Sequence, residues 1–236
     1  MTVGATRAIN GSVDGRYCVV IPAFQASATI GQLVHQVKLK GFPVVVVDDG
    51  SHDQTAAVAA KAGALVISHL RNRGKGRALR TGFDYALRER YDGVVTMDGD
   101  GQHDPEDIPQ LIRAGEVQHA GLVLGNRMRS GGPMPPVRRI TNEVMSGIIS
   151  AVARQPIPDS QCGFRFIHRS VLENISLRTD RFEIETEIVL SAAARRWKII
   201  SVPVRSIYQE DHQSHVRPVR DTFRFAGVIL RCLLRR

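Results

Sequence analysis

Residues 42–51, FPVVVVDDGS, decide the fold of this chain. Four consecutive valines form an apolar, β-branched run that stops at two aspartates and a glycine. Such a run is typical of a strand buried on both faces of a parallel sheet, and the polar residues mark the loop where the strand ends. Upstream, residues 17–22, YCVVIP, predict another strand, and apolar residues at helical spacing follow between Ser27 and Lys40.

The same alternation of strand and helix continues along the chain. The later predicted strands are residues 64–68, 93–98, 121–126 and 197–204, and the later predicted helices are residues 53–62, 76–88, one opened by Pro105, 138–153, 184–196 and a last one from Pro218. Strands alternating with helices predict an α/β fold, with a Rossmann-like, mostly parallel sheet and helices on both faces.

Composition indicates a single folded domain. The chain has 236 residues, of which 43% are hydrophobic and 23% charged, as in ordinary globular proteins. Residues 1–16 are polar and predict a flexible N-terminal tail, followed by one domain over residues 17–216 and a basic helix over residues 217–236. Cys18, Cys162 and Cys232 are far apart and predict reduced structural thiols in a cytoplasmic protein.

The net charge of +9 raises the question of nucleic-acid binding. However, the arginines are spread along the chain, only 6% of residues are aromatic, and no RNA-binding or zinc-finger pattern accompanies them. We therefore expect no nucleic-acid partner, and the basic clusters suit other phosphates equally well.

Carboxylates follow two of the predicted strands. Asp48 and Asp49 end one strand, and Asp98, Asp100 and Gln102 follow another. Ligands bind at the carboxyl ends of strands in parallel sheets, and these oxygen atoms suit a hard divalent cation such as Mg²⁺ or Mn²⁺. The carboxylates further along, at residues 104–107, are better explained as caps of the next helix.

Seven motifs together resemble glycosyltransferase family 2, and within it the polyprenyl-phosphate branch typified by dolichyl-phosphate mannosyltransferase. They occur in the family's order, from residue 17 to about residue 204: VVIPAFQ, VVVVDDGSHDQT, NRGKGRALRTGF, TMDGDGQHDPEDI, GNR, DSQCGFRFI and FEIETEI. This resemblance implies a GT-A fold, a nucleotide-sugar donor, a divalent metal and inversion at the anomeric carbon.

The resemblance also implies roles for individual residues. Donor binding is implied for Pro22, Ala23, Asp48, Asp49, Lys75, Asp98, Arg127, Arg139 and Arg217. Metal binding is implied for Asp98, Asp100 and Gln102, and catalytic roles are implied for Asp100, Arg127, Arg165 on the acceptor side, and Glu183. One departure limits the donor: residues 22–26 read PAFQA where the family shows Pro-x-Tyr-Asn-Glu, so the base of the nucleotide does not follow. The stretch QEDHQSHVRPVRD, residues 209–221, is also particular to this chain.

The acceptor is either a lipid phosphate or a hydroxyl. A hydroxyl needs a carboxylate to take its proton, whereas a phosphate is already ionised. Glu183, Glu185 and Glu187 are the candidate bases, and helical spacing puts Glu183 and Glu187 on one face. The Gln-x-x-Arg-Trp motif of processive hydroxyl-transferring relatives is incomplete at Trp197, which favours polyprenyl phosphate as the acceptor.

Two other hypotheses remain for the function. The acceptor is a hydroxyl of a sugar, glycerate or lipid, or the chain is a non-enzymatic nucleotide-binding or nucleic-acid-binding protein. The glycine pattern of a dinucleotide-binding dehydrogenase is missing.

The last predicted helix has an apolar stripe and a separate arginine stripe. Such a helix can lie in a membrane interface, where each arginine near an anionic surface contributes about 1 kcal/mol. We therefore expect peripheral attachment at the cytoplasmic membrane face; a membrane partner subunit, a homodimer contact or packing on the domain are the alternatives for this helix.

Overall fold

The computed structural model describes residues 16–128 and 136–207. Its strands are β1 (Tyr17–Ala23), β2 (Val44–Asp48), β3 (Leu65–Ser68), β4 (Gly93–Thr96), β5 (Leu122–Asn126), β6 (Arg165–His168) and β7 (Ile199–Pro203). Its helices are α1 (Ile30–Leu39), α2 (Thr55–Lys61), α3 (Lys75–Arg88), α4 (Ile108–Gln118), α5 (Pro136–Ala153), α6 (Arg169–Asn174) and α7 (Ile184–Ala194). A single 3₁₀ turn, Pro105–Asp107, precedes α4.

The strands form one seven-stranded sheet in the order β3-β2-β1-β4-β6-β5-β7. All neighbouring pairs are parallel except those of β6, which runs antiparallel to β4 and β5. The prediction of a mostly parallel α/β sheet is therefore confirmed. Strand β6 and helix α6 were not predicted, because the four-residue strand RFIH lies in a polar, glycine-containing segment and inserts between strands that precede it in sequence.

Buried side chains pack on both faces of the sheet, as the apolar runs predict. Along β1, Cys18 and Val20 face the cluster formed with α3, α5 and α7, whereas Val19 and Ile21 face the cluster formed with α1 and α4. Every residue of β1 and β2 is buried. Burial on both faces fixes the register of these strands, because a shift by one residue would exchange the two sets of side chains.

Two of the three cysteines are buried thiols, as expected. Burial raises the pKa of Cys18 and of Cys162 to about 12, so neither is a thiolate at neutral pH. Cys232, the basic C-terminal helix with Arg217, and all but the last residue of the N-terminal tail lie outside the described residues. Of the helices within residues 16–128 and 136–207, none has the length and apolar character needed to cross a membrane.

Candidate active site

The carboxyl ends of β1 and β2 lie side by side. Ala23 and Asp48 are register partners at the ends of these strands, and Asp48 is buried, with its Oδ1 accepting a bond from the Ser51 amide at 3.1 Å. The loop after β4 packs on the same edge, since a Cβ atom added to Gly99 would lie 3.3 Å from the Pro22 carbonyl oxygen. Pro22, Ala23 and Asp48 therefore border the loop that carries the other acidic residues.

Asp49 holds the loop that leads into α3. Its carboxylate accepts bonds from the Arg73 amide at 2.9 Å and from the Gly74 amide at 2.7 Å. The His69 ring contacts the same carboxylate through Nδ1 at 2.7 Å. Because these contacts fix the start of α3, Asp49 determines where Lys75, the first residue of that helix, is placed.

The two glycines beside Lys75 allow the backbone of residues 179–181 to approach. Gly74 has a φ of 96°, and a Cβ atom there would overlap the Asp180 carbonyl oxygen. A Cβ atom on Gly76 would lie 2.6 Å from the Thr179 carbonyl oxygen. The glycine-lysine-glycine motif is therefore required by the packing of this segment against the N-terminus of α3.

We expect Gly74→Ala to lower the free energy of unfolding by about 3 kcal/mol, because it combines a left-handed backbone with a steric overlap. Urea denaturation measures this change. Gly41→Ala is the matched control: its φ is 82°, but nothing lies within 4 Å of the added Cβ, so we expect a cost of only about 1 kcal/mol. Equal losses for the two variants would contradict the packing argument.

Lys75 joins α3, the loop after β4 and α7. Its Nζ lies 2.5 Å from Asp98 Oδ1 and 2.6 Å from Glu185 Oε1. Burial by itself would lower the pKa of Lys75, but the two carboxylates outweigh it and raise the pKa above its usual value. Burial would likewise raise the pKa of Asp98, but Lys75 and His103 outweigh it and lower the pKa well below its usual value. Lys75 and Asp98 are therefore both charged at neutral pH.

The opposite side of Asp98 is formed by residues 162–164 and His103. The ring of His103 is buried, stacks on Phe164 with centroids 5.2 Å apart, and places Nε2 3.4 Å from Asp98 Oδ2. A Cβ atom on Gly163 would lie 2.6 Å from that same oxygen. The carboxylate of Asp98 thus fits against a backbone that only glycine leaves open.

Asp98, Asp100 and Gln102 fit a divalent cation by their chemistry. Asp100 is half-buried, its Oδ1 accepts a bond from the Gln102 amide at 3.0 Å, and the loop stays compact between them. Among residues 16–128 and 136–207, no group of three or more His, Cys, Asp or Glu residues is placed to hold a metal. Two carboxylates and one amide oxygen would form an incomplete hard-ligand set, in which phosphate and water would complete the coordination of a bound cation.

Arg127 forms a bidentate ion pair inside the fold. Its Nε and Nη2 lie 2.9 and 3.0 Å from the two carboxylate oxygens of Asp159, which is fully buried. Asn142 of α5 donates to the same carboxylate at 2.9 Å. Burial would raise the pKa of Asp159, but the bonds and charge of Arg127 outweigh it and lower the pKa. Arg139, by contrast, lies on the exposed surface of α5, paired with Glu143 at 3.1 Å.

We expect Asp159→Asn to lower the free energy of unfolding by about 3 kcal/mol, since it removes the anion from a buried ion pair. Thermal and urea denaturation measure the change. Glu143→Gln removes the anion from the exposed pair with Arg139, and we expect it to cost about 0.5 kcal/mol or less. A cost for Asp159→Asn as small as that of the control would show that the buried pair is not structural.

Arg165 is buried at the start of β6. Its guanidinium donates to the carbonyl oxygens of Cys162, Glu185 and Ser160 at 2.7, 2.6 and 2.7 Å. Burial lowers the pKa of this group from its usual value, although the nearby charge of Glu185 opposes the effect. The residue expected on the acceptor side thus connects the 160–162 loop to α7.

The three glutamates near the start of α7 have different surroundings. Glu185 pairs with Lys75, and Glu187 is buried and accepts bonds from the Arg178 and Thr179 amides at 3.0 and 2.9 Å. Glu183, the N-cap residue, is half-buried. Helical spacing does put Glu183 and Glu187 on one face, but Glu187 is engaged by the 178–179 backbone.

The structure brings together most of the predicted site residues, but not all of them. Lys75 contacts Asp98 directly, while Arg127 and Arg165 bind groups of the protein itself and Arg139 is exposed. The sequence predicted no site role for His103 or Asp159, and it offered Glu185 only as a candidate base, not as the partner of Lys75. The only signal for Asp159 was its place in the DSQCGFRFI motif, and a lone carboxylate there does not reveal its partner.

Comparison with known proteins identifies the family. Residues 18–176 match the family model described as Glycosyl transferase family 2. An uncharacterised protein of Methanocaldococcus jannaschii is 35% identical, over 81% of this chain and 82% of its own. A polyprenol monophosphomannose synthase of Mycolicibacterium smegmatis is 30% identical, over 80% and 76%. A UDP-N-acetylglucosamine–dolichyl-phosphate N-acetylglucosaminyltransferase of Methanococcus voltae is 28% identical, over 81% and 86%.

A solved structure gives the fold. Glucosyl-3-phosphoglycerate synthase of Mycobacterium tuberculosis, in complex with Mg²⁺ and uridine diphosphate, superposes with a TM-score of 0.69 at 22% identity, covering 93% of this chain and 79% of that one. At this identity the likeness concerns the fold, which is the GT-A fold predicted from the motifs. Taken with the family match, it shows that the chain belongs to glycosyl transferase family 2 and is a glycosyltransferase.

Proposed function

We propose that this chain catalyses the inverting, metal-dependent transfer of a sugar from a nucleotide-diphosphate sugar to a polyprenyl phosphate. The observation that carries the proposal is the contact between Lys75 and Asp98 at the carboxyl edge of the sheet, where β2 ends at Asp48 and the loop after β4 carries Asp100. The proposed donor is GDP-mannose or a UDP-sugar. Both nucleotides are kept because the loop at residues 22–26 does not specify the base. Mg²⁺ or Mn²⁺ would be held by Asp98, Asp100 and Gln102.

Charge stabilisation accounts for most of the proposed catalysis. Breaking the bond to the nucleotide diphosphate builds negative charge on the leaving phosphates, and a divalent cation bound there neutralises part of that charge. Lys75 is fixed at the N-terminus of α3, where a cation and backbone amides suit an anion. Arg127 and Arg165 support the site by positioning, through Asp159 and through the backbone of residues 160–162 and 185.

The acceptor proposal rests on the relatives and on the glutamates of α7. The relatives from M. smegmatis and M. voltae carry names that specify polyprenol and dolichyl phosphate acceptors. Two of the three candidate bases, Glu185 and Glu187, are engaged within the protein. A lipid phosphate is already ionised at neutral pH and requires no base, so this arrangement suits it.

Peripheral contact with the cytoplasmic membrane face forms part of the proposal. Helix α5 begins beyond the carboxyl end of β5 and exposes Ile140, Val144 and Ile148, which are 61%, 57% and 43% accessible. These residues are spaced four apart and so share one face of the helix. An exposed aliphatic face suits an interface with lipid chains. The predicted basic helix at residues 217–236 would add electrostatic attraction.

The acceptor is tested by offering purified protein three acceptors with a panel of GDP- and UDP-sugars and Mn²⁺: undecaprenyl phosphate, undecaprenol and 3-phosphoglycerate. We expect a sugar-lipid product with undecaprenyl phosphate only. A product with undecaprenol or phosphoglycerate, and none with the lipid phosphate, would show that the acceptor is a hydroxyl.

We expect Glu183→Gln to lower kcat less than about fivefold, since a phosphate acceptor has no proton to remove. Steady-state kinetics with the accepted lipid measure this effect. If Glu183 is instead the base for a hydroxyl acceptor, kcat falls by at least about a hundredfold, which would contradict the lipid-phosphate assignment.

A further inference from the structure

Lys75 contacts a carboxylate oxygen that a metal at Asp98 would use. Its Nζ is 2.5 Å from Asp98 Oδ1 and 2.6 Å from Glu185 Oε1. Nζ also lies 5.8 Å from the centre of the Phe182 ring. The ammonium group is therefore held by two carboxylates and an aromatic face, all within the protein.

We propose that Lys75 is an internal counter-ion that exchanges with the divalent cation at Asp98. Binding of the cation moves Nζ away from Asp98, while Glu185 retains it. Nζ, still paired with Glu185, then faces the donor diphosphate instead of Asp98. This inference rests on the metal site of the proposed function. In it, the position of Lys75 Nζ depends on whether a cation occupies that site.

The surroundings of Asp98 explain why an exchange is required. Its Oδ2 faces His103 Nε2 at 3.4 Å and lies so close to Gly163 that a Cβ atom there would be 2.6 Å away. The carboxylate therefore has little room to turn away from Lys75. A divalent cation approaching Oδ1 meets the positive charge of Nζ, and like charges at such distances repel strongly in a partly buried site.

Glu185 is placed to keep Lys75 after the exchange. It is buried on α7, and its backbone carbonyl accepts a bond from Arg165 Nη1 at 2.6 Å. Asp98 belongs to a loop that also provides the other metal ligands, whereas Glu185 belongs to a helix fixed by the core. The two carboxylates thus have separate functions: one receives the metal, and the other anchors the lysine.

The test is Mn²⁺ binding by the full-length protein without nucleotide or lipid, with unbound Mn²⁺ measured by electron paramagnetic resonance. We expect Lys75→Met to bind Mn²⁺ at least about tenfold more tightly than the wild type, because the competing charge is gone. Lys61→Met is the control: it removes one positive charge from the exposed end of α2, and we expect no more than about a twofold change.

Glu185→Gln provides an independent measurement should Lys75→Met fail to fold. This variant removes the negative charge of Glu185, so Nζ pairs with Asp98 alone and competes more strongly with the cation. We therefore expect Mn²⁺ binding to weaken by about fivefold. Unchanged or weaker binding by Lys75→Met, or unchanged or tighter binding by Glu185→Gln, would overturn the exchange. Because neither donor nor acceptor is present, these results are separate from a failure of sugar transfer, which would instead contradict the proposed function.

Discussion

Asp100→Ala is expected to lower metal-dependent sugar transfer at least about 1,000-fold, since it removes one of the two carboxylates proposed to hold the divalent cation. Initial rates at saturating donor, with Mn²⁺ varied over a wide range, measure the loss. We expect the fold to be kept, because the Asp100 side chain is only half-buried and the bond that its Oδ1 accepts from the Gln102 amide is local to the loop.

Asp104→Ala is the matched control for this prediction. Asp104 lies in the same acidic stretch, but its carboxylate caps the 3₁₀ turn by accepting the Glu106 amide at 3.0 Å. We expect a cost of about 1 kcal/mol in stability and a small change in rate. A rate for Asp100→Ala within a few-fold of the wild type would remove Asp100 from the metal site.

Arg165→Met is the second variant for which we expect a large effect. We expect it to lower the free energy of unfolding by about 3–5 kcal/mol. The substitution removes three bonds from a buried guanidinium to backbone carbonyls, and each carbonyl left without a partner costs about 1–3 kcal/mol. Urea denaturation followed by circular dichroism measures the change. We expect transfer to fall as well, because the 160–162 loop and α7 lose their connection.

Arg169→Met serves as the control for Arg165→Met. Arg169 is also an arginine close to β6, but it is partly exposed and forms an i,i+4 pair with Glu173 at 2.7 Å. We expect a cost of about 0.5 kcal/mol. If the Arg165 variant is as stable as this control but inactive, Arg165 contacts substrate and does not act through the fold.

The sequence predicts the sheet well because its strands are buried on both faces. The valines of β2 and the apolar run of β1 allow no other register, and the glycines and aspartates mark where those strands end. Strand β6 escapes prediction because it is only four residues long and its position in the sheet depends on partners that lie far away in sequence.

The candidate site is predicted in part. The residues after β2 and β4 follow from the rule that strand ends carry the ligands, and Lys75 follows from the resemblance of its motif to the family. The partners of the buried cations do not follow, because nothing in the sequence pairs Arg127 with Asp159 or Lys75 with Glu185. These pairings depend on the distance between side chains from different elements, which only the folded chain determines.

The most direct test of the account is mass spectrometry of the lipid fraction after incubation with undecaprenyl or dolichyl phosphate, a nucleotide-sugar panel, and either Mn²⁺ or a chelator. We expect one polyprenyl-phosphate sugar that forms with Mn²⁺ and is absent with the chelator. No lipid product with any donor, or a product that forms equally well in the chelator, would contradict it.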